Sequence, residues 1–135
     1  AAAPKGGVRV FDHTAEDPSV FVDGRGNFHM LLNALPYLCV PKGRQGGHAW
    51  SRDGRTWSEP RVGAFGASVQ LAGGEVMECE RRERPQMVLD PESGAPLALV
   101  SALVGCPRRM VGRVYRGGVD SFTLVQRMGK EEVQN

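Results

Sequence analysis

The residues best suited to chemistry in this 135-residue chain are carboxylates that stand in two acid-x-Pro segments. Glu16-Asp17-Pro18 and Glu83-Arg84-Pro85 begin 67 residues apart, and their middle residue is acidic in the first segment and basic in the second. Two carboxylates that meet in one site can divide general acid and base work between them. Glu83 and Asp17 are the candidates for such a pair, and their separate roles are implied by the family resemblance given below. The alternative is structural, because a proline needs no ladder donor at a strand start and a carboxylate can accept backbone N–H bonds there.

Polar residues near these segments extend the candidate site. His48 follows Gly46-Gly47 and stands between the two segments, so it could contact a ligand hydroxyl or could equally be a satisfied, partly buried histidine. Arg82 and Arg84 could clamp an anionic group through bidentate hydrogen bonds, or could pair with neighbouring glutamates. Arg81, Arg82 and Arg84 are also expected to favour the ionised form of Glu83, which opposes an acid role unless burial or Asp17 offsets them.

The two segments open two copies of one longer pattern. EDPSVFVDGRGNFHMLLNAL returns as ERPQMVLDPESGAPLALVSAL with one inserted residue. In each copy the acid-x-Pro opening leads into a short apolar strand, a turn with Asp and Gly, and a second apolar strand, which predicts a hairpin. The spacing is too long for a helical solenoid and fits a unit of several strands, such as a propeller blade with a long loop.

Four strands are expected in each unit, and a small hairpin between the units. The 18 glycines and 9 prolines break the chain too often for long helices. We predict strands at residues 19–23, 27–33, 48–51 and 56–59 in the first unit, at 86–89, 97–102, 110–115 and 121–127 in the second, and at 68–71 and 76–79 between them.

Composition narrows the classes of partner. A net charge of +2, with both signs mixed along the chain, gives no support for nucleic acid or an anionic membrane as a partner. No apolar run is long enough for a transmembrane helix. Cys39, Cys79 and Cys106 lack metal-ligand spacing and are expected to be small buried residues or to form one local bridge. Phosphate cradles and metal motifs are absent, so we expect no cofactor and no metal.

These residues resemble a known family. Glu16-Asp17-Pro18 followed by Val20-Phe21-Val22-Asp23, a glycine turn and His29-Met30-Leu31-Leu32 is similar to a blade opening of the five-bladed propellers of glycoside hydrolase families 43 and 32. Glu83-Arg84-Pro85 resembles the later Glu-x-Pro element of those families. The resemblance implies that Glu83 is the general acid and that Asp17 is the carboxylate that supports it, and it favours an extracellular or secretory location.

A second resemblance concerns the segment from Ser51 to Trp57. It is similar to the Asp box of sialidase propellers with one residue fewer, so Asp53 and Gly54 are expected to build a turn. That likeness leaves a third option, a sialidase-type propeller whose arginines hold a carboxylate. Trp50 and Trp57 could stack on a sugar ring, but tryptophan on a blade strand more often packs between sheets, and we expect core positions.

The sequence thus predicts one all-β domain over residues 1–135, made of antiparallel four-stranded blades of a partial β-propeller. Its blade units span about 16–60 and about 83–128. The expected function is glycan recognition, with hydrolysis of glycosidic bonds in the intact protein; the alternative is a non-catalytic propeller module for binding or scaffolding. Two blades are part of a larger propeller, so the isolated chain is expected to be inactive and to self-associate through open sheet edges. The expected partner is a carbohydrate, with Glu83, Asp17, His48, Arg82 and Arg84 at the site.

Overall fold

The computed structural model describes residues 7, 9–12, 14–34, 46–107 and 121–129, and all regular structure in these ranges is β-strand. The strands, in chain order, are β1 Ala15–Val22, β2 Phe28–Ala34, β3 Gly46–Ser51, β4 Arg61–Val62, β5 Ser68–Gln70, β6 Val76–Glu78, β7 Arg81–Leu89, β8 Pro96–Val104 and β9 Ser121–Arg127. The described part of the chain contains no helix long and apolar enough to cross a membrane.

The strands form three antiparallel sheets. The first has the order β1-β2-β3-β4, the second is the hairpin β5-β6, and the third has the order β7-β8-β9. The predicted all-β, antiparallel class is therefore confirmed. Within the described ranges, the three sheets do not close into a ring. The strand predicted at 110–115 lies outside the described residues.

The sequence repeat is also a repeat of structure, because both hairpin turns are built by the same device. In the first turn, Asp23 Oδ1 accepts hydrogen bonds from the backbone N–H groups of Arg25 and Asn27, both at 2.9 Å. In the second turn, Asp90 Oδ1 accepts from the backbone N–H groups of Glu92 and Ser93 at 3.1 and 2.7 Å. Gly26 and Gly94, which align in the repeat, have φ angles of 84° and 69°, a region that only glycine enters without strain.

The acid-x-Pro segments are bulges inside strands. The pairing register shifts between Glu16 and Ser19 in β1 and between Glu83 and Gln86 in β7. At the centre of the bulges, Asp17 and Arg84 both have a φ of 52°, which is rare for residues with a side chain. The predicted strand starts at residues 19 and 86 are therefore wrong. Because a bulge leaves an unpaired residue that tolerates proline, pairing continues past the segment to Ala15 and Arg81.

The strand predicted at residues 56–59 is also wrong. Asp53 Oδ1 accepts the backbone N–H groups of Arg55 and Thr56, each at 2.8 Å, and these bonds fold the segment into a turn. The Thr56 and Arg55 bonds, with a smaller contribution from Ser51, lower the pKa of Asp53 to about 2. The fourth strand of the sheet is Arg61–Val62, which pairs with Gly47 and His48. The turn role predicted for Asp53 and Gly54 is confirmed.

The two repeated units lie side by side. β1 and β7 contact one another, although each is paired with the next strand of its own sheet. At the turn end, a Cβ on Gly24 would collide with the carbonyl oxygen of Ser93, so the two hairpin turns touch. Between the sheets, Leu31, Phe65 and Leu99 form a buried cluster. The edge strands of the two larger sheets are thus neighbours.

A second core cluster fills the space between the β5-β6 hairpin and the third sheet. It contains a disulfide between Cys79 and Cys106, which are 5% and 7% exposed. The expectation of one local bridge is therefore confirmed for this pair, and Cys39 lies outside the described residues. Of the two tryptophans, Trp57 packs against a third cluster as expected. The core position predicted for Trp50 is wrong, since this residue is 46% exposed.

Candidate functional site

The two bulges contact one another through the carboxylate of Asp17. Asp17 Oδ2 accepts a hydrogen bond from the side-chain amide of Asn33 at 3.1 Å and one from the backbone N–H of Arg84 at 3.4 Å. Asn33 is 1% exposed, and its Oδ1 has no hydrogen-bond partner among the described residues. The structure therefore brings together the two acid-x-Pro segments that the sequence singled out.

Glu83 adjoins this contact and is largely buried. Its carboxylate pairs with Arg81 through an Nη1–Oε1 distance of 3.0 Å and with Arg84 through an Nη1–Oε2 distance of 3.5 Å. Only 11% of the Glu83 side chain is exposed. The backbone N–H of Arg84, the residue after Glu83, is the group that Asp17 binds.

Arg82 points away from Glu83, because neighbouring residues of a strand alternate between its two faces. It is 3% exposed. Its Nε donates to Ser101 Oγ at 2.7 Å and its Nη1 donates to Gln126 Oε1 at 3.1 Å, while the guanidinium lies 5.5 Å from the centre of the Phe65 ring. Burial lowers the pKa of Arg82 to about 10. Arg84, by contrast, has 69% of its side chain exposed. Of the two predicted ligand-binding arginines, only Arg84 is open to solvent.

Arg82→Ala is expected to lower the free energy of unfolding by about 3 kcal/mol, because it leaves a cavity and deprives the buried Ser101 hydroxyl of its donor. Arg82→Met is expected to cost less than Arg82→Ala, because Ser101 loses its donor in both variants but an apolar chain of similar length fills the cavity and leaves no desolvated cation. Urea unfolding monitored by tryptophan fluorescence measures both values. The exposed Arg52→Ala serves as the control, with an effect within about 0.5 kcal/mol. An Arg82→Met variant as unstable as Arg82→Ala would contradict this account.

His48 belongs to a hydrogen-bonded chain that sequence reasoning missed. His48 Nε2 and His29 Nδ1 are 2.9 Å apart, and His29 Nε2 lies 3.2 Å from Asp23 Oδ2. The two imidazole rings are inclined by only 14°, with centroids 5.2 Å apart, so they lie almost edge to edge in one plane. The Phe21 ring is nearly parallel to the His29 ring, with an interplanar angle of 13° and ring centroids 5.0 Å apart.

Strand register explains why these side chains meet. His48 is opposite Leu31 and Trp50 is opposite His29 in the β2–β3 pair, so His29, His48 and Trp50 share one face of the sheet. That face becomes more open along β3, from buried Gly46 through half-buried His48 to exposed Trp50. The sequence holds a signal for the pair only once residues 27–33 and 48–51 are known to be neighbours in this register.

Asp23 and His48, the two ends of this hydrogen-bonded chain of side chains, have different pKa shifts. Hydrogen bonds from the side chain and backbone of Asn27 hold the pKa of Asp23 well below its usual range, with smaller contributions from His29 and Arg25. Burial lowers the pKa of His48, and the nearby charges of His29 and Arg61 lower it further. Asp23 is therefore a fixed negative charge, whereas His48 resists protonation.

Two concave surfaces lie near these residues. A cavity of about 280 Å³ is bordered by the first bulge and by the segment before β1, including Glu16, Pro18 and Phe11. A shallow depression of about 330 Å³ is lined by Trp50, Arg52, Asp53 and Thr56. Within the described ranges, no group of three or more His, Cys, Asp or Glu side chains is arranged to hold a metal ion.

Comparisons with protein-family models, with curated proteins and with solved structures found no match to this chain. Its function must therefore be argued from the contacts of its own residues.

Proposed function

We propose that this chain is a glycan-recognising segment of a β-propeller similar to glycoside hydrolase families 43 and 32, and that the intact protein hydrolyses glycosidic bonds. In this proposal Glu83 is the general acid and Asp17 is the carboxylate that supports it. The observation that carries the proposal is the hydrogen bond from the Arg84 backbone to Asp17, because it places the two candidate carboxylates on touching bulges of neighbouring strands.

The relation between the two units supports the propeller assignment. In a propeller each blade is an antiparallel sheet, and the blades are repeated radially around a central channel. β1 and β7 are each an edge strand of their own sheet, they contact one another, and they carry the same bulge at the same position of the repeat. Such an arrangement is what two successive blades would have.

Backbone strain supports a functional role for the bulges. Non-glycine residues with positive φ cost of order 1–3 kcal/mol each, and they concentrate at active sites and ligand clamps. Asp17 and Arg84 both adopt this conformation, and both precede a proline. Their repetition in two units argues that the bulges hold the acidic residue and its neighbours in a required geometry.

A non-catalytic binding module is the second candidate, and the exposure of Trp50 favours it. Sugar rings stack on exposed tryptophan through their apolar faces, while nearby polar groups bind the hydroxyls. Trp50 is 46% exposed and borders the shallow depression with Arg52 and Thr56. This surface could hold a glycan whether or not Glu83 acts on it.

A glycan panel applied to both the 135-residue chain and the intact protein tests the proposal. We expect the chain to bind a subset of the glycans, and we expect the intact protein to release reducing sugar from them and to cleave aryl glycosides. Binding without hydrolysis by the intact protein would favour the second candidate. An absence of both binding and hydrolysis across plant, algal, bacterial and animal glycans would overturn both candidate functions.

Trp50→Ala should weaken glycan binding about tenfold if the tryptophan stacks on the sugar.

A further inference from the structure

The hydrogen-bonded chain of Asp23, His29 and His48 determines which imidazole nitrogens carry protons. A carboxylate only accepts hydrogen bonds, so His29 Nε2 must donate to Asp23 Oδ2. In neutral His29 the other nitrogen, Nδ1, then has a lone pair and accepts from His48 Nε2. Nδ1 of His48 is left without a proton. One fixed negative charge thus sets the tautomer of both rings.

We propose that Asp23, His29 and His48 form a relay that holds Nδ1 of His48 as a hydrogen-bond acceptor for a hydroxyl group of a bound glycan. The ligand class rests on the proposed function, whereas the relay rests on the geometry alone. Among the described residues, the contacts of His48 include no partner for Nδ1. His48 is half buried at the border of the open face, two residues from exposed Trp50 on the same side of β3.

The position of Trp50 indicates why a polyhydroxylated ligand suits this acceptor. A sugar ring that stacks on an indole directs its hydroxyls outward from the ring edge. An acceptor beside the indole can then receive a hydroxyl proton in a hydrogen bond. Side chains at positions i and i+2 of a strand are neighbours on one face, within reach of a single monosaccharide. The relay and Trp50 would thus bind the polar edge and the apolar face of one sugar.

The relay also makes the acceptor dependent on pH. A proton that arrives at Nδ1 of His48 turns this nitrogen from a hydrogen-bond acceptor into a donor. Among the described residues, the charged groups near this pair include Asp23 and Arg61. Contact with a hydroxyl through a bare Nδ1 is therefore lost at acid pH, and the loss comes below the ordinary histidine range because burial and the charges of His29 and Arg61 lower the pKa of His48.

Asp23→Asn gives a sharp test, because it should invert the relay. The single oxygen of the asparagine side chain can keep the backbone bonds of Arg25 and Asn27, which turns its NH₂ group toward His29 Nε2. His29 Nε2 must then accept, its Nδ1 must donate, and His48 Nδ1 must carry a proton. The matched control is Asp90→Asn, which changes the equivalent turn of the second unit, where Leu97 stands at the position of His29.

Nitrogen-15 NMR of the ligand-free chain measures these protonation states directly. We expect Nε2-protonated tautomers for His29 and His48 in the wild type and in Asp90→Asn, and Nδ1-protonated tautomers for both in Asp23→Asn. An Nδ1-protonated His48 in the wild type would overturn the relay. Unchanged tautomers in Asp23→Asn would overturn it as well.

A panel of methyl hexosides and pentosides, added to the labelled chain at pH 7.5, tests the ligand. We expect the Nδ1 resonance of His48 to move on binding, and the shift to disappear at pH 5. Resonances that move elsewhere while His48 Nδ1 stays fixed would overturn the His48 contact and leave glycan binding in place. Glycosides that shift no resonance at all would overturn the ligand assigned to His48, and the tautomer measurement would still decide the relay.

Discussion

Hydrolysis of glycans by the intact protein is expected to fall at least about 100-fold when Glu83 is replaced by glutamine. Glutamine keeps the size of the side chain and removes the proton that a general acid gives to the leaving group. Glu83 is 9% exposed and lies beside the contact between the two bulges, so a change of this residue acts at the centre of the candidate site. Initial rates with aryl glycosides and with the best glycan of the panel measure the effect.

Two substrates with different leaving groups distinguish acid catalysis by Glu83 from a purely structural role of this residue. An aryl glycoside with a strongly activated phenol needs little protonation, so Glu83→Gln should retain much more activity with it than with an unactivated glycan. The control is Glu92→Gln in the exposed turn between β7 and β8, which should leave both rates unchanged. Equal losses with the two substrates would mean that the ion pairs of Glu83 with Arg81 and Arg84 position the site, and that Glu83 is not the acid.

Asp17→Asn should lower the rate of hydrolysis by a different amount than Glu83→Gln, because the Asp17 carboxylate accepts hydrogen bonds from Asn33 and from the Arg84 backbone. Both bonds go to Oδ2, so an asparagine whose single oxygen takes that position can accept both of them. A supporting carboxylate acts through the position and the charge of the acid, so the loss should be smaller than for Glu83→Gln.

The hairpins were predictable because their signals are local. Asp23 with Gly26 and Asp90 with Gly94 set each turn within a few residues, and alternating apolar residues mark the strands that follow. The repeat made the second unit predictable from the first. These features depend on hydrogen bonds between residues two to four apart, which a sequence displays directly.

The bulges and the short fourth strand were not predictable in the same way. Whether Glu16-Asp17-Pro18 ends a strand or interrupts one depends on the partner strand, which continues past it to Ala34. Residues 56–59 have strand-like composition, but Asp53 engages the backbone N–H groups of Arg55 and Thr56. In both places a side chain or a distant strand overrides local propensity.

The carboxylates of the candidate site could be predicted from the sequence, whereas the residues that surround them could not. The repeat singled out Asp17 and Glu83 because they stand in equivalent segments. The opposite directions of Arg82 and Glu83 depend on strand alternation around a bulge that was not foreseen. The Asp23, His29 and His48 chain depends on the register of β2 with β3, since a shift of one residue would put His29 and His48 on opposite faces.

Removal of the disulfide is expected to lower the free energy of unfolding by about 3.5 kcal/mol. Cys79 and Cys106 are 27 residues apart and enclose the whole β7-β8 hairpin, which carries Glu83 and the second bulge. Without the bridge the unfolded chain gains the freedom of that loop, and the small cluster around Met77 and Leu103 must hold the hairpin by packing alone. The double variant Cys79→Ala with Cys106→Ala should melt about 10 °C or more below the oxidised wild type.

Reduction of the wild type shows how much of the stability loss comes from the missing disulfide and how much comes from the alanine side chains. Dithiothreitol should lower the melting temperature of the wild type toward that of the double variant and should leave the double variant unchanged. Peptide mapping without reductant should recover Cys79 joined to Cys106. A linked peptide containing Cys39 would contradict the pairing, and a wild type whose stability is insensitive to reductant would contradict the stabilising role. Because β7 also carries the site, loss of the bridge should weaken glycan binding at temperatures well below the melting point.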